Sequence, residues 1–126
     1  MKVVYPATIE KIDDSFWLEF PDLKGCQTWG SSVEETMSNA VEALEGYILS
    51  QLENNMNIVQ ASDIKDIEVS SNVIKTYIYC DVEVKSENLV KKTLTIPEWV
   101  NELGLRQNIN FSKVLTDAII GKSIIG

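Results

Sequence analysis

One long amphipathic helix pattern, set among strand-like segments, constrains the fold of this chain most. After Ser32, apolar residues recur every three or four positions, the repeat of a helix with one buried face. They are Met37, Ala40, Val41, Leu44, Ile48 and Leu52. Ser32 and Glu35 have the spacing of a capping box at the start of this helix, and Asn54-Asn55 ends it. A helix with a single apolar face needs a second layer to pack against.

Segments rich in β-branched and aromatic residues flank this helix. Residues 3–12 and 16–20 predict a hairpin, in which Pro6 belongs at an edge or a bulge because it has no amide hydrogen to donate. Residues 26–29 predict a short third strand, and residues 73–84 predict a long fourth one. The order β-β-β-α-β therefore predicts an α+β domain, with one helix packed on a small, mainly antiparallel sheet.

The C-terminal part has a different pattern. Residues 90–97 alternate, with Leu94 and Ile96 on one face, and two short helix patterns follow, the first beginning at Pro97 and the second capped by Asn110. A segment this short cannot bury enough apolar surface to be stable as a monomer. Pairing its strand with the same strand of a second chain solves this, so we predict a homodimer or a higher homo-oligomer. The predicted dimer core consists of Leu94, Ile96, Trp99, Val114 and Leu115. We expect Trp99, Phe111 and Leu115 to be core residues.

Charge also divides the chain. Residues 1–88 hold six basic and sixteen acidic residues, a net charge of −10, whereas residues 89–126 hold five and three, a net charge of +2. The acidic part suits a basic partner, and the weakly basic part can approach DNA. The acidic residues alone are equally consistent with a role in solubility.

The composition limits the chemistry of the chain. There is no histidine, and the two cysteines, Cys26 and Cys80, are far apart. Acid–base catalysis by histidine is therefore excluded, and we expect packed, reduced thiols with no metal and no cofactor. No apolar run is long enough for a membrane span, and the start of the chain lacks the pattern of a signal peptide. We expect a cytoplasmic protein that does not contact a membrane.

A family resemblance rests on residues 21–30, PDLKGCQTWG. Together with Ser32, Glu35, Asn39-Ala40 and Glu42-Ala43-Leu44, they resemble the signature of the HicB antitoxin family. Thr36 stands where the family usually has alanine. The resemblance covers about the first 84 residues and implies a truncated ribonuclease H-like fold that binds HicA, a small basic ribonuclease toxin with a catalytic histidine. We expect toxin contacts on or beside this signature turn, at Glu19, Asp22 and Trp29.

A second resemblance lies in the C-terminal part. KKTLTIP (91–97) and INFSKVL (109–115) are similar to the ribbon-helix-helix domain fused to HicB antitoxins. The resemblance implies a DNA-binding domain over residues 90–126, joined through a linker at 85–89 to the domain over 1–84, with the paired strands in the major groove of double-stranded operator DNA. The residues expected to read base edges are Lys91, Thr93 and Thr95. Those expected to hold a phosphate are Asn110, Ser112 and Lys113.

Two alternatives to an antitoxin stay open from the residues alone. Asp81 and Glu83 lie two apart on a predicted strand and, with Glu10, Glu19 or Asp22, could hold Mg²⁺ in a metal-dependent nuclease. Such acids more often form the solvated face of a strand, so we do not expect an enzyme. The other alternative is a stand-alone repressor whose N-terminal domain senses a different ligand. The leading prediction is an antitoxin that neutralises a HicA-type toxin and, as a dimer, binds operator DNA to repress its own operon.

Overall fold

The chain folds into a mixed α and β structure. The computed structural model describes residues 1–84 and 89–125. In chain order its strands and helices are β1 (Lys2–Ile12), β2 (Ser15–Glu19), β3 (Gln27–Gly30), α1 (Val33–Glu53), β4 (Ile58–Val59), β5 (Val73–Asp81), α2 (Glu98–Arg106), α3 (Phe111–Gly121) and β6 (Ile124–Ile125). The predicted β-β-β-α-β order is confirmed, with the two-residue β4 and one 3-10 turn added between α1 and β5.

Four strands form one antiparallel sheet in the order β3-β2-β1-β5. Residues 2–10 of β1 pair with β5, whereas β2 pairs only with residues 8–12. Pro6 therefore lies where β1 has one neighbouring strand, as its missing amide hydrogen requires. Between β2 and β3, Trp17 lies directly opposite Trp29. The small second sheet pairs β4 with β6 in parallel, which the sequence did not predict.

Helix α1 covers one face of the four-stranded sheet, which we call the inner face. The residues of α1 that are buried recur every fourth position: Thr36, Ala40, Leu44 and Ile48. Val41, predicted on the buried stripe, is 38% exposed because it lies about 100° around the helix from Ala40. The buried apolar side chains in the described residues all lie between Val3 and Val82. The hydrophobic core therefore belongs to the N-terminal part.

The start of α1 is capped, but not by the full reciprocal box. The Ser32 hydroxyl accepts a hydrogen bond from the Glu35 amide at 3.1 Å, as predicted. The Glu35 carboxylate, however, accepts from the Ser31 hydroxyl at 2.8 Å, so it is engaged by the preceding serine. At the other end Asn54 is the C-cap and Asn55 has a φ of 54°, a conformation that asparagine tolerates well. The predicted helix end is confirmed.

Gly30 brings β3 close to the first turn of α1. A Cβ atom at Gly30 would lie 2.5 Å from the Thr36 Oγ1 atom, so a side chain does not fit there. Thr36 is fully buried, and its hydroxyl donates to the Ser32 carbonyl at 2.7 Å. Thr36 is thus a satisfied polar residue in the core.

Both cysteines are buried, free thiols, which confirms the prediction of packed cysteines. Burial raises the pKa of Cys26 to about 11. Burial, followed by the charge of Glu45, raises the pKa of Cys80. Both groups therefore stay protonated at neutral pH and are poor nucleophiles.

The C-terminal part forms the two predicted helices. Pro97 is the N-cap of α2 and has an extended ψ of 143°, so α2 begins one residue later than predicted. Asn110 caps α3, since its Oδ1 atom accepts from the Lys113 amide at 3.0 Å. A Cβ atom at Gly104 would lie 2.5 Å from the Phe111 ring, so this glycine allows α2 and α3 to approach closely. None of the helices described is long and apolar enough to cross a membrane.

Residues 90–96, predicted as a strand, pair with no other strand of the described chain and are exposed. A strand needs a neighbour for its backbone hydrogen bonds, and the predicted neighbour belongs to a second chain. Of the predicted linker, residues 85–88 lie outside the described residues. The N-terminal and C-terminal parts touch through β4 and β6 and through the N-terminal ammonium group, which lies 3.9 Å from the Asp117 carboxylate.

Candidate functional site

The face of the sheet opposite α1, the outer face, carries two of the three predicted toxin contacts. Glu19 ends β2 on this face, and Trp29 lies on it in β3, 53% exposed. Trp17, two residues before Glu19 and opposite Trp29, is 39% exposed. Sequence reasoning did not select Trp17. The alternation of side chains along β2, combined with the hairpin register, places it beside Trp29.

A segment that crosses the outer face turns part of it into a groove. The Ile64 amide donates to the Tyr77 hydroxyl at 3.2 Å, and the Lys75 ammonium donates to the Ile67 carbonyl at 3.0 Å. These bonds hold residues 64–70 over β5. Beside them lies a groove of about 500 Å³, which we call the outer groove. It is lined by Thr8, Glu10, Ile12, Trp17, Glu19, Pro21, Ile67, Glu68, Val69, Ser70 and Val73.

Asp22, the third predicted toxin contact, is engaged within the chain. Its carboxylate accepts from the Ser62 amide at 2.8 Å and from the Ser62 hydroxyl at 2.6 Å. These two bonds fasten the turn after β2 to the segment that follows β4. Glu19 and Trp29 therefore share the outer face, whereas both oxygens of the Asp22 carboxylate are engaged within the chain.

Replacing Asp22 by alanine is expected to lower the free energy of unfolding by about 1–3 kcal/mol, because two hydrogen bonds to a charged acceptor are lost. Urea denaturation followed by circular dichroism measures this. Asp14→Ala, which removes the same charge from an exposed turn, is the matched control and should change the value by about 0.5 kcal/mol or less. Equal effects of the two substitutions would contradict the fastening role of Asp22.

A second groove, the apolar groove, lies between residues 92–96 and α3. It measures about 470 Å³ and is lined by Lys92, Leu94, Ile96, Asn101, Phe111, Ser112, Val114, Leu115 and Ala118. Four of the five predicted dimer-core residues are in this lining. The fifth, Trp99, lies outside it and is 69% exposed.

The expected core around Trp99, Phe111 and Leu115 is not formed within one chain. All three side chains are exposed, because one short extended segment and two short helices cannot enclose them. Leu94, on the other wall of the apolar groove, is likewise exposed, at 56%. The C-terminal part thus leaves several large apolar side chains exposed.

The predicted DNA contacts occupy two separate places. Lys91, Thr93 and Thr95 are exposed and lie outside the apolar groove, whose lining takes only the even-numbered residues of this segment. The predicted alternation of its two faces is therefore present. The second place is the start of α3, where the residues expected to hold a phosphate lie together: Asn110, Ser112 and Lys113.

The first turn of α3 faces acidic residues of the same chain. It lines a crevice of about 400 Å³ together with Glu83, Val84, Thr116 and Asp117. The Lys113 ammonium lies 3.4 Å from the Asp117 carboxylate. These neighbours reduce the positive potential at the predicted phosphate site.

Asp81 and Glu83, the pair on which the nuclease alternative rests, are not brought together with Glu10. Asp81 pairs with Lys2 at one end of β5, whereas Glu10 pairs with Val73 at the other end. Eight residues of extended strand, about 26 Å, separate the two positions. Glu83 lies beyond the end of β5, so it does not share a strand face with Asp81. Within residues 1–84 and 89–125, no group of three or more potential metal ligands occurs.

The fold and these surfaces define a class of small two-part proteins. An acidic α/β part leaves one sheet face open, and a helical C-terminal part leaves an apolar groove uncovered. Residues 5–115 match the family model described as the HicB-like antitoxin of bacterial toxin–antitoxin systems, and the chain belongs to this family.

Chains of solved structures and a phage protein are similar to this chain. A chain of a toxin–antitoxin complex from Streptococcus pneumoniae is 29% identical with a TM-score of 0.62, and the match covers 97% of this chain and 99% of that one. A chain of the HicA3 and HicB3 toxin–antitoxin complex is 23% identical with a TM-score of 0.52, covering 65% of this chain and 100% of that one. An uncharacterised 14.9 kDa protein from the rep-hol intergenic region of Haemophilus phage HP1 is 29% identical over 99 residues, 75% of this chain and 74% of that protein.

Proposed function

We propose that this protein neutralises a small basic ribonuclease toxin of the HicA type and, as a dimer, binds operator DNA to repress its own operon in the cytoplasm. The observation that carries this proposal is the similarity to a chain of a toxin–antitoxin complex over 97% of this chain and 99% of the other. The protein itself performs no catalysis and needs no cofactor. Co-expression with a small basic reading frame beside this gene, followed by isolation of a stable complex, tests the pairing.

In this proposal the two parts of the chain divide the work. Residues 1–84, a truncated ribonuclease H-like domain, bind the toxin, and residues 90–126 dimerise and bind DNA. The charge of −10 on residues 1–88 supports a basic toxin as partner of the first domain. The antiparallel sheet covered by one helix, with its core between Val3 and Val82, supports the first domain as a unit that folds separately.

The dimer forms through the apolar groove. Leu94 and Ile96 on one wall and Val114 on the other are 56%, 44% and 57% exposed in the single chain. Exposed apolar surface of this extent in so small a segment is typical of an oligomer interface. A second copy that pairs its residues 90–96 antiparallel to those of the first would bring the two apolar grooves together. The same pairing would satisfy the backbone of both segments.

The dimer holds DNA with two kinds of contact. In a two-stranded ribbon, Thr93 and Thr95 project away from the apolar groove and contact base edges in the major groove, together with Lys91. The first turn of α3 holds a phosphate with backbone amides, the Ser112 hydroxyl and the Lys113 charge. The net charge of +2 on residues 89–126 supports this assignment of DNA to the C-terminal part.

A salt titration separates the two kinds of DNA contact. Thr93→Ala and Thr95→Ala should each weaken binding to operator DNA by about 1–3 kcal/mol and hardly change binding to a scrambled duplex. Lys113→Ala should weaken both and reduce the salt dependence by about one unit per site, because it removes a phosphate contact. Fluorescence anisotropy with the two duplexes gives both quantities. Equal losses on both duplexes for the threonine variants would show that the ribbon does not read sequence.

A further inference from the structure

The outer groove has an unusual charge pattern. Three of its lining residues are carboxylates, namely Glu10, Glu19 and Glu68, and its lining contains no lysine or arginine. Among the described residues, no ion pair involves any of these three. Glu10 does accept a hydrogen bond, from the Asn72 side-chain amide at 3.4 Å. The groove therefore carries negative charge that the surrounding chain leaves uncompensated.

Lys75, a cation on the same face, does not compensate this negative charge. Lys75 lies opposite Thr8, but its ammonium group is bonded to the Ile67 carbonyl at 3.0 Å. That bond fixes the crossing segment instead of bridging to a groove carboxylate. A cation from outside the chain would therefore meet open carboxylates.

The second distinctive feature is the pair of exposed indoles. Trp17 lines the outer groove, and Trp29 lies directly opposite it on β3. On its other side Trp17 faces Glu10 of β1 in direct register, which places their Cβ atoms about 5 Å apart. An indole face next to a carboxylate suits a guanidinium group, which stacks on an aromatic ring and can form two hydrogen bonds with a carboxylate.

We propose that the outer groove receives an arginine side chain of the toxin, with its guanidinium group on Trp17 and between the carboxylates of Glu10 and Glu19. This inference rests on the proposed antitoxin function and gives its toxin-binding surface a location. Glu68, on the crossing segment, closes the far side of the groove and adds to the attraction. Trp29 lies beside the groove as an apolar contact for the remainder of the toxin surface.

The test compares variants of the full-length protein in which pairs of glutamates are replaced by uncharged glutamines. The probe is the small basic toxin encoded beside this gene, and its dissociation constant is measured by isothermal titration calorimetry. The variant E10Q/E19Q should bind the toxin with a dissociation constant about ten times higher or more, because the arginine would lose its charged partners. The matched control E34Q/E42Q removes the same charge from exposed positions of α1, on the opposite side of the sheet, and should bind within about twofold of wild type. The difference between the two variants should shrink in high salt.

Two substitutions of aromatic residues, one inside the outer groove and one outside it, test where the toxin makes contact. Trp17→Ala should weaken toxin binding by a factor of about ten or more. Tyr79 is a more exposed aromatic residue on the outer face but outside the groove, so Tyr79→Ala should have little effect. Thermal unfolding of each variant shows whether it is folded. As a second readout, tetra-arginine peptide should quench the fluorescence of the wild type more than that of Trp17→Ala.

The outcomes separate this inference from the proposed function. If the wild type does not bind the toxin, the antitoxin proposal fails. If the wild type binds but E10Q/E19Q and Trp17→Ala bind as tightly as their controls, the outer groove is not the contact and the inference alone is overturned. A change in the protein's own oligomeric state, with unchanged toxin affinity, would assign the groove to a second copy of the chain and equally overturn it.

Discussion

Leu94→Asp is expected to convert the proposed dimer to a monomer, and Ile96→Asp should have the same effect. Both residues lie on the wall of the apolar groove that faces α3, and in the single chain they are 56% and 44% exposed. Pairing with a second chain would bury them, so an aspartate at either position would place an unpaired charge in a small shared core. The expected cost is several kcal/mol, enough to dissociate an interface of this size. Sedimentation velocity measures the state directly.

Thr93→Asp is the matched control for dimerisation. It introduces the same charge into the same segment, but on the face that lies away from the apolar groove. It should remain a dimer and lose operator binding, because the substitution removes a base contact and adds a negative charge that the DNA phosphates repel. A Leu94→Asp protein that stays fully dimeric would show that this segment does not make the dimer. Dissociation of both variants would show that the interface is not confined to the apolar groove.

The second large effect concerns a fragment of residues 1–88, which should neutralise the toxin without the C-terminal part. The buried apolar side chains of the described chain all lie between Val3 and Val82, and no apolar residue of α2 or α3 is fully buried. The fragment also retains the charge of −10 and the outer groove. It loses the short pairing of β6 with β4, so it should be somewhat less stable than the full chain. Rescue of growth in cells that express the toxin measures neutralisation.

A fragment that carries Leu44→Asp supplies the negative control. Leu44 is fully buried under the sheet, so a charge there should prevent folding and abolish the rescue. Circular dichroism of the purified fragments shows which of them are folded. A folded fragment 1–88 that fails to rescue growth would contradict the division of work between the two parts.

The local elements of this protein could be predicted from its sequence. The hairpin of β1 and β2, the length of α1, and the cap of α3 at Asn110 all depend on residues close together in the chain. Side-chain periodicity and capping groups act over one or two turns or strand lengths, so the sequence expresses them directly. The two faces of residues 90–96 follow from the same alternation. The resemblance to the HicB family, carried by one compact signature, is likewise confirmed by the match over residues 5–115.

Other features were decided only by tertiary structure. The strand order, with β1 between β2 and β5, depends on pairing between segments about seventy residues apart, which no local pattern specifies. The same long-range contacts engage Asp22 with Ser62 and carry residues 64–70 across the outer face. The outer groove therefore combines Glu10 and Trp17, which the local hairpin of β1 and β2 places together, with Glu68 from a distant segment. Sequence selected Glu19 and Trp29 near this surface, but the groove forms where the Tyr77 hydroxyl, as acceptor, and the Lys75 ammonium group, as donor, hold the crossing segment in place.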